Sequence, residues 1–262
     1  CARDFVAGAP FLMYLGDNVL LEGVSRFVEE FDRARPDAQI FLARVPEPER
    51  FGVAILEGER VVRLVEKPRE HVSDLALVGV YLFDDSIHEA IDSLEPSWRG
   101  EYEITEAIQW LIDHERTVRA EMVSGWWKDT GRPADLLEAN RVLLGALRPT
   151  AEGEVDAAST VEGVVALGQG AKVIRSSIVG PVSIGPDTVI EDSVIGPDVS
   201  IEQDCVVQRS EIRNSIVMGA CRIHGVDGLA DSILGRGAEV RHSGVPGTRR
   251  LIVGDHGRVE FD

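Results

Sequence analysis

Phe11-Leu12-Met13-Tyr14-Leu15-Gly16-Asp17-Asn18 is an apolar run that stops at a glycine and a carboxylate. Such a run predicts a buried strand whose C-terminal end delivers Asp17 to a sheet edge, the place where open α/β sheets bind ligands. Far downstream, Trp126-Trp127-Lys128-Asp129-Thr130-Gly131 repeats the arrangement: a carboxylate after apolar residues and before a glycine and a new helix. Either aspartate alone reads as a helix cap or a turn residue. Taken together at strand ends, they are candidate ligands for one hard divalent cation, Mg²⁺, held against a phosphate.

The chain between them alternates strands and helices. Val24, Phe27, Val28 and Phe31 recur at helical spacing, and Pro36 stops the helix. A strand over 38–44 follows. Phe51 to Leu56 and Arg60 to Val65 flank Glu57-Gly58-Glu59, the signature of a hairpin. The hairpin ends in Glu66-Lys67-Pro68, where proline closes the strand and leaves a carboxylate beside an ammonium. Ala76 to Phe83 predicts another buried strand, then a short amphipathic helix bearing Ile87, Ala90, Ile91 and Leu94. Arg99-Gly100-Glu101-Tyr102-Glu103-Ile104-Thr105 leads into a helix carrying Ile108, Leu111 and Ile112, with Thr105 as its predicted N-cap. A strand from Val118 to Val123 and a helix opened by Pro133 complete an α/β half.

Past Pro149 the helical period disappears. Ser177-Ile178-Val179-Gly180-Pro181, Ser193-Val194-Ile195-Gly196-Pro197, Ser215-Ile216-Val217-Met218-Gly219 and Ser232-Ile233-Leu234-Gly235 are variants of one unit. Ile178, Ile184 and Ile190 are six apart, as are Ile195, Ile201 and Val207. That hexapeptide period predicts a parallel β-helix, each short face pointing one aliphatic residue into a narrow core. The phase slip between Ile190 and Ile195, with the irregular stretch from Ile223 to Leu229, predicts uneven coils. The boundary therefore falls between an α/β domain over 1–148 and a β-helix over 149–262.

Composition narrows the partners. Asp plus Glu number 45 against 27 Lys plus Arg, a net charge of −18 that repels nucleic acid and anionic membrane. An anionic substrate then needs a locally positive or metal-bearing pocket. Cys1, Cys205 and Cys221 form no close ligand pair and no even disulfide set, which fits a reducing cytoplasm and excludes a zinc site of the usual spacing. No apolar run has the length of a membrane span, and no signal-type segment opens the sequence. Lysine occurs only as Lys67, Lys128 and Lys172, and two of these lie inside the motifs above.

In this order, Leu-Gly-Asp-Asn, Phe-Gly-Val, Glu-Lys-Pro and Trp-Lys-Asp-Thr-Gly, followed by the hexapeptide coils, resemble the sugar-1-phosphate nucleotidyltransferases. The likeness is greatest to the long glucose-1-phosphate thymidylyltransferase group and runs from about Phe11 to the end, including the tail Leu251-Ile252-Val253-Gly254-Asp255-His256. The resemblance implies a Rossmann-like nucleotidyltransferase domain followed by a left-handed parallel β-helix. It implies transfer of a thymidylyl group from dTTP to glucose-1-phosphate, giving dTDP-glucose and pyrophosphate, by a homo-oligomer in the cytoplasm. By the same resemblance Asp17 and Asp129 would hold Mg²⁺, and Glu66 would bind sugar hydroxyls with main-chain help from Gly52 and Leu77. Lys67 and Arg99 would bind the sugar phosphate, the first as a point charge and the second as a fork. No protein nucleophile is implied, since such chemistry runs on positioning and charge neutralisation.

The family's glycine-rich phosphate loop, its catalytic arginine and most base-reading residues are not found in this sequence. The opening Cys1-Ala2-Arg3 has no initiator Met, and the expectation is an upstream segment without which the chain does not turn over. Transfer from UTP, or to another sugar phosphate, is the alternative within the family. Outside it stand an acyltransferase using His224 or His242 on the β-helix and a non-enzymatic sugar-nucleotide sensor.

Overall fold

The structure, a computed structural model, describes residues 3–242 and 249–261; Cys1 and the side chain of His242 lie outside the described part. The chain forms two compact units, Cys1–Asp129 and Thr130–Asp262. The first unit contains, in order, α1 (Arg3–Val6), β1 (Phe11–Tyr14), β2 (Asn18–Leu20), α2 (Ser25–Ala34), β3 (Ala38–Arg44), β4 (Gly52–Glu57), β5 (Arg60–Glu66), β6 (Leu75–Phe83), α3 (Ile87–Asp92), α4 (Ile104–Asp113), β7 (Val118–Met122) and β8 (Trp127–Asp129).

Six of these strands make one mixed sheet in the order β1-β6-β3-β7-β5-β4, and β4 also pairs with β6. Only β3 and β7 run parallel; the other pairs are antiparallel. The sheet carries helices on both faces. Val78, Val80 and Leu82 of β6 meet Phe27 and Phe31 of α2, while Leu77, Tyr81 and Phe83 meet the apolar residues of α3 and α4. Burial on both sides explains why β6 reads as an unbroken apolar run rather than an alternation. The expectation for Phe11 to Tyr14 is corrected: β1 is an edge strand, its residues half-buried or exposed. Its apolar side chains are shared between the two faces, Phe11 and Met13 on the side of α3 and α4 and Leu12 on the side of α2, while the other edge of its backbone is unpaired among the described residues, a pattern that periodicity in so short a run does not separate from full burial.

The second unit begins with α5 (Pro133–Gly145) and continues as stacked parallel strands in three sheets. Pro133 sits at the first turn of α5, where its missing N–H costs nothing. The helix docks on the coils: Asn140 Oδ1 accepts from the Ser200 hydroxyl at 2.5 Å, and its amide donates to Asp198 O at 3.4 Å. By packing, then, α5 groups with the coils, although the repeat texture itself starts only after Pro149.

The phase slip is not an irregularity. Ile178 pairs with Ile195 and Ile195 with Ile212, while Ile184 pairs with Ile201 and Ile190 with Val207, each a step of 17 residues. A coil is therefore two sides of six residues and one of five, and the slip recurs at the same corner. Departures occur lower down, where Ile201 pairs with Val217 after 16 residues and Val240 with Val259 after 19. Along one corner, buried serines satisfy the turning backbone: Ser193 N donates to Ser176 Oγ at 3.0 Å, Ser210 N to Ser193 Oγ at 3.1 Å, and Val226 N to Ser210 Oγ at 3.0 Å. Cys205 and Cys221 occupy another internal corner in place of hydroxyls, their thiols donating to Met218 O at 3.2 Å and Gly235 O at 3.1 Å.

Candidate active site

Residues expected to act together do converge in the first unit. β2 and β8 form a separate two-stranded antiparallel ladder in which Asn18 faces Asp129, so Asp17 and Asp129 lie at one end of the same ladder. Asn18, buried, is the hub of this end. Its Oδ1 accepts from Gly79 N at 3.0 Å and from Trp127 Nε1 at 2.7 Å, and its Nδ2 donates to Asp17 Oδ1 at 3.0 Å. Gly79 is required there, because a Cβ would collide with the Asn18 amide. Among the described residues no three His, Cys, Asp or Glu cluster as metal ligands. Two carboxylates beside an open strand end suit Mg²⁺, which takes few protein oxygens and completes its shell with water and phosphate.

A second cluster lies where the hairpin opens. Gly52, first in β4, faces Glu66, last in β5. A Cβ on Gly52 would stand 2.5 Å from Thr105 Cγ2, 3.0 Å from Glu66 Oε2 and 3.8 Å from Leu77 Cδ1. The three positions expected for the sugar, Gly52, Glu66 and Leu77, thus share one small hollow. Thr105, expected as an N-cap, is instead inside the first turn of α4, with Glu103 at the cap position, and its hydroxyl donates to Glu66 Oε2 at 3.2 Å.

Two cations face the Glu66 carboxylate. Lys67 Nζ is 3.9 Å and Arg99 Nη1 3.6 Å from Glu66 Oε1. Lys67 is held in the left-handed region at φ +41° while its N–H donates to Phe51 O at 3.0 Å. A non-glycine residue in that conformation before a proline is strained, the kind of strain that accumulates at functional positions. Burial raises the Glu66 carboxyl above the ordinary glutamate range, with the nearby Glu103 charge adding to it, against the opposing pull of Thr105, Lys67 and Arg99. Burial likewise pushes the Tyr81 phenol up, reinforced by Glu66.

The two clusters are joined through aromatic rings. Phe51 packs on Trp127 with centroids 5.7 Å apart and planes tilted by 60°, and Trp127 is the residue bound to Asn18. Sequence reasoning missed Asn18, Trp127, Thr105 and Glu103 as members of the site. Asn18 and Trp127 are marked in the sequence only by standing near Asp17 and Asp129, and Glu103 and Thr105 only by the helix start that follows Arg99. His224, the rival catalytic residue, lies against the Arg209 guanidinium, which donates to its Nε2.

The first unit thus sets the half-buried Glu66 and buried Glu103 against two cations, Lys67 and Arg99, with the carboxylates of Asp17 and Asp129 on the ladder beyond Trp127. Residues 1–145 match the family model described as nucleotidyl transferase. The chain belongs to that family, and within it to the sugar-1-phosphate nucleotidyltransferases. It is similar to the glucose-1-phosphate thymidylyltransferase of Streptomyces griseus, 48% identical over 262 residues, covering 99% of this chain and 74% of the relative. It also resembles the low-salt glycan biosynthesis nucleotidyltransferase of Haloferax volcanii, at 40% identity over 283 residues, covering 100% of this chain and 74% of that protein. A Bacillus anthracis crystal structure, presented as that of a candidate glucose-1-phosphate thymidylyltransferase with sucrose, shares 36% identity at a TM-score of 0.50. That match covers 54% of this chain and 57% of the other. No helix among the described residues is long and apolar enough to cross a membrane.

Proposed function

We propose that the protein carrying this chain transfers a thymidylyl group from dTTP to glucose-1-phosphate. The observation that supports the sugar-phosphate half of the reading is the hollow formed by Gly52, Glu66, Leu77 and Thr105, closed on its charged side by Lys67 and Arg99, while the choice of dTTP rests on likeness to the Streptomyces thymidylyltransferases. A hexose would seat its hydroxyls on Glu66, an acceptor kept in place by Thr105, with its phosphate toward Lys67 and Arg99. A phosphate oxygen then attacks the α-phosphorus of the triphosphate in line; the new P–O bond forms as the bond to the β-phosphate oxygen breaks, and pyrophosphate leaves with that electron pair. Asp17 and Asp129 would hold Mg²⁺, which when bound neutralises phosphate charge. The work of this chain's own residues is orientation: Asn18 fixes Asp17, Trp127 and Phe51 brace the two clusters against each other, and the arginine fork sets the phosphate's angle.

The test is pyrophosphate release by the protein carrying this chain, with glucose-1-phosphate and either dTTP or UTP. The expected result is a higher kcat/KM with dTTP, and a Lys67→Ala variant whose KM rises for the sugar phosphate more than for the nucleotide. Preference for UTP would overturn the thymidylyl assignment alone. An equal rise in both KM values would overturn the placement of the sugar phosphate at Lys67.

A further inference from the structure

The loop that supplies Arg99 contains a third carboxylate with no part in the reading above. Ser97 N donates to Glu101 O at 2.8 Å and Gly100 N to Ser97 O at 2.8 Å, so residues 97–101 close into a tight turn. Gly100, at φ +76°, provides the left-handed step that brings Glu101 back over Arg99. The guanidinium is thereby divided. Its Nη1 faces Glu103 at 3.3 Å and Glu66 at 3.6 Å, while Nη2 is ion-paired with Glu101 Oε2 at 2.9 Å. Two of these acceptors are fixed. The Glu103 side chain is 9% exposed and accepts from Ser97 Oγ at 2.9 Å, and the Glu66 side chain is 18% exposed; the Glu101 side chain, at 57%, is the one free to leave.

We propose that Glu101 is a displaceable internal competitor for the phosphate: its carboxylate is ion-paired with the outer nitrogen of Arg99 and yields it when a phosphorylated sugar binds. The chemistry supports this exchange. A carboxylate and a phosphate offer the same pair of anionic oxygens to an arginine fork. Glu66 and Glu103 stay behind on Nη1 and keep the guanidinium aimed. A bare phosphate must displace Glu101 with no help, whereas a sugar phosphate adds the hydroxyl contacts of the Glu66 hollow. Glu101 thus sets a threshold that every phosphate ligand must meet and that the sugar's hydroxyl contacts help to meet, acting on the reaction through Arg99 as a positioning residue.

This inference rests on the proposed phosphate role of Arg99, and the experiment separates the two. Dissociation constants of glucose-1-phosphate, inorganic phosphate and glucose are measured by calorimetry for the wild-type protein, Glu101→Gln and Arg99→Ala. Glu101→Gln is expected to bind both phosphate ligands about two- to five-fold tighter, the scale of losing one half-exposed ion pair. Glucose binding should not move, which a merely structural role for Glu101 would not predict. Unchanged or weaker phosphate binding in Glu101→Gln, confirmed in Glu101→Ala with unaltered circular dichroism, would overturn the competitor role while Arg99→Ala still weakens glucose-1-phosphate. If Arg99→Ala leaves glucose-1-phosphate affinity intact, the phosphate role of Arg99 fails and the competitor role falls with it.

Discussion

Gly52→Ala probes the sugar hollow with a single methyl group. The backbone at Gly52 is not in the left-handed region, so alanine is conformationally acceptable and the effect is one of space. The new Cβ would stand 2.5 Å from Thr105 Cγ2 and 3.0 Å from Glu66 Oε2, both well inside contact distance. Thr105 must retreat with the first turn of α4, or Glu66 must turn away, and either movement breaks the hydrogen bond between them. Overpacking of this kind costs about 1–3 kcal/mol, read as a lower urea midpoint at unchanged m. Glucose-1-phosphate affinity should fall by about tenfold or more, since one methyl group fills part of the hollow and misplaces the Glu66 carboxylate. Thr105→Ser removes the methyl that Cβ strikes and keeps the hydroxyl that serves Glu66. The double variant should therefore recover part of both losses, with a coupling energy of about 0.5–2 kcal/mol in the cycle. Wild-type affinity in Gly52→Ala, or purely additive losses in the double variant, would refute this packing of the hollow.

Asp17→Asn and Asp129→Asn should each cut pyrophosphate release severely while circular dichroism stays unchanged, because both side chains lie at a ladder end outside the apolar core; near-normal turnover at saturating Mg²⁺ would contradict the two-carboxylate site. The Glu66 carboxyl has a raised pKa in the folded state, so the folded protein holds its proton more tightly than the unfolded chain. The stability this proton contributes is present at pH below the ordinary glutamate value and is lost as pH rises through the raised one. Glu66→Gln should flatten that decline, measured as urea midpoint against pH. Ser193→Ala leaves the Ser210 amide without its acceptor inside the coil stack, and should cost about 1–3 kcal/mol with faster hydrogen exchange at Ser210.

The parts of the fold legible in the sequence are those set by local pattern. Glu57-Gly58-Glu59 marks a hairpin, Pro133 opens a helix, and the sixfold aliphatic period marks the stacked coils, each through chemistry confined to a few neighbouring residues. Strand order is a different matter: that β6 sits between β1 and β3 and also touches β4 depends on pairings across dozens of residues. The site divides along the same line. Glu66 and Lys67 stand together in the sequence, and their facing Gly52 follows from the hairpin. Thr105 does not, because helix start signals compete over three residues and Glu103 takes the cap position that Thr105 also suits. Asn18 was visible only as the neighbour of Asp17. Its function as a three-way hydrogen-bond junction appears once β6 and β8 are brought to it.

The 17-residue coil gives the second unit a unit of length. A residue gained or lost within a strand would reverse the facing of the aliphatic residues that follow it in that strand, whereas one lost at a corner is absorbed there: Val217 and Ile223 stay buried after steps of 16. Excision of a whole coil, such as 177–193, rejoins Ser176 to Val194 in the relation that Ser193 already has to it, so inward and outward positions are preserved downstream. Changes in the length of this unit are thus taken up as whole coils or at the corners between strands, and the stack can grow or shrink without revising the rule that places a side chain inside or outside.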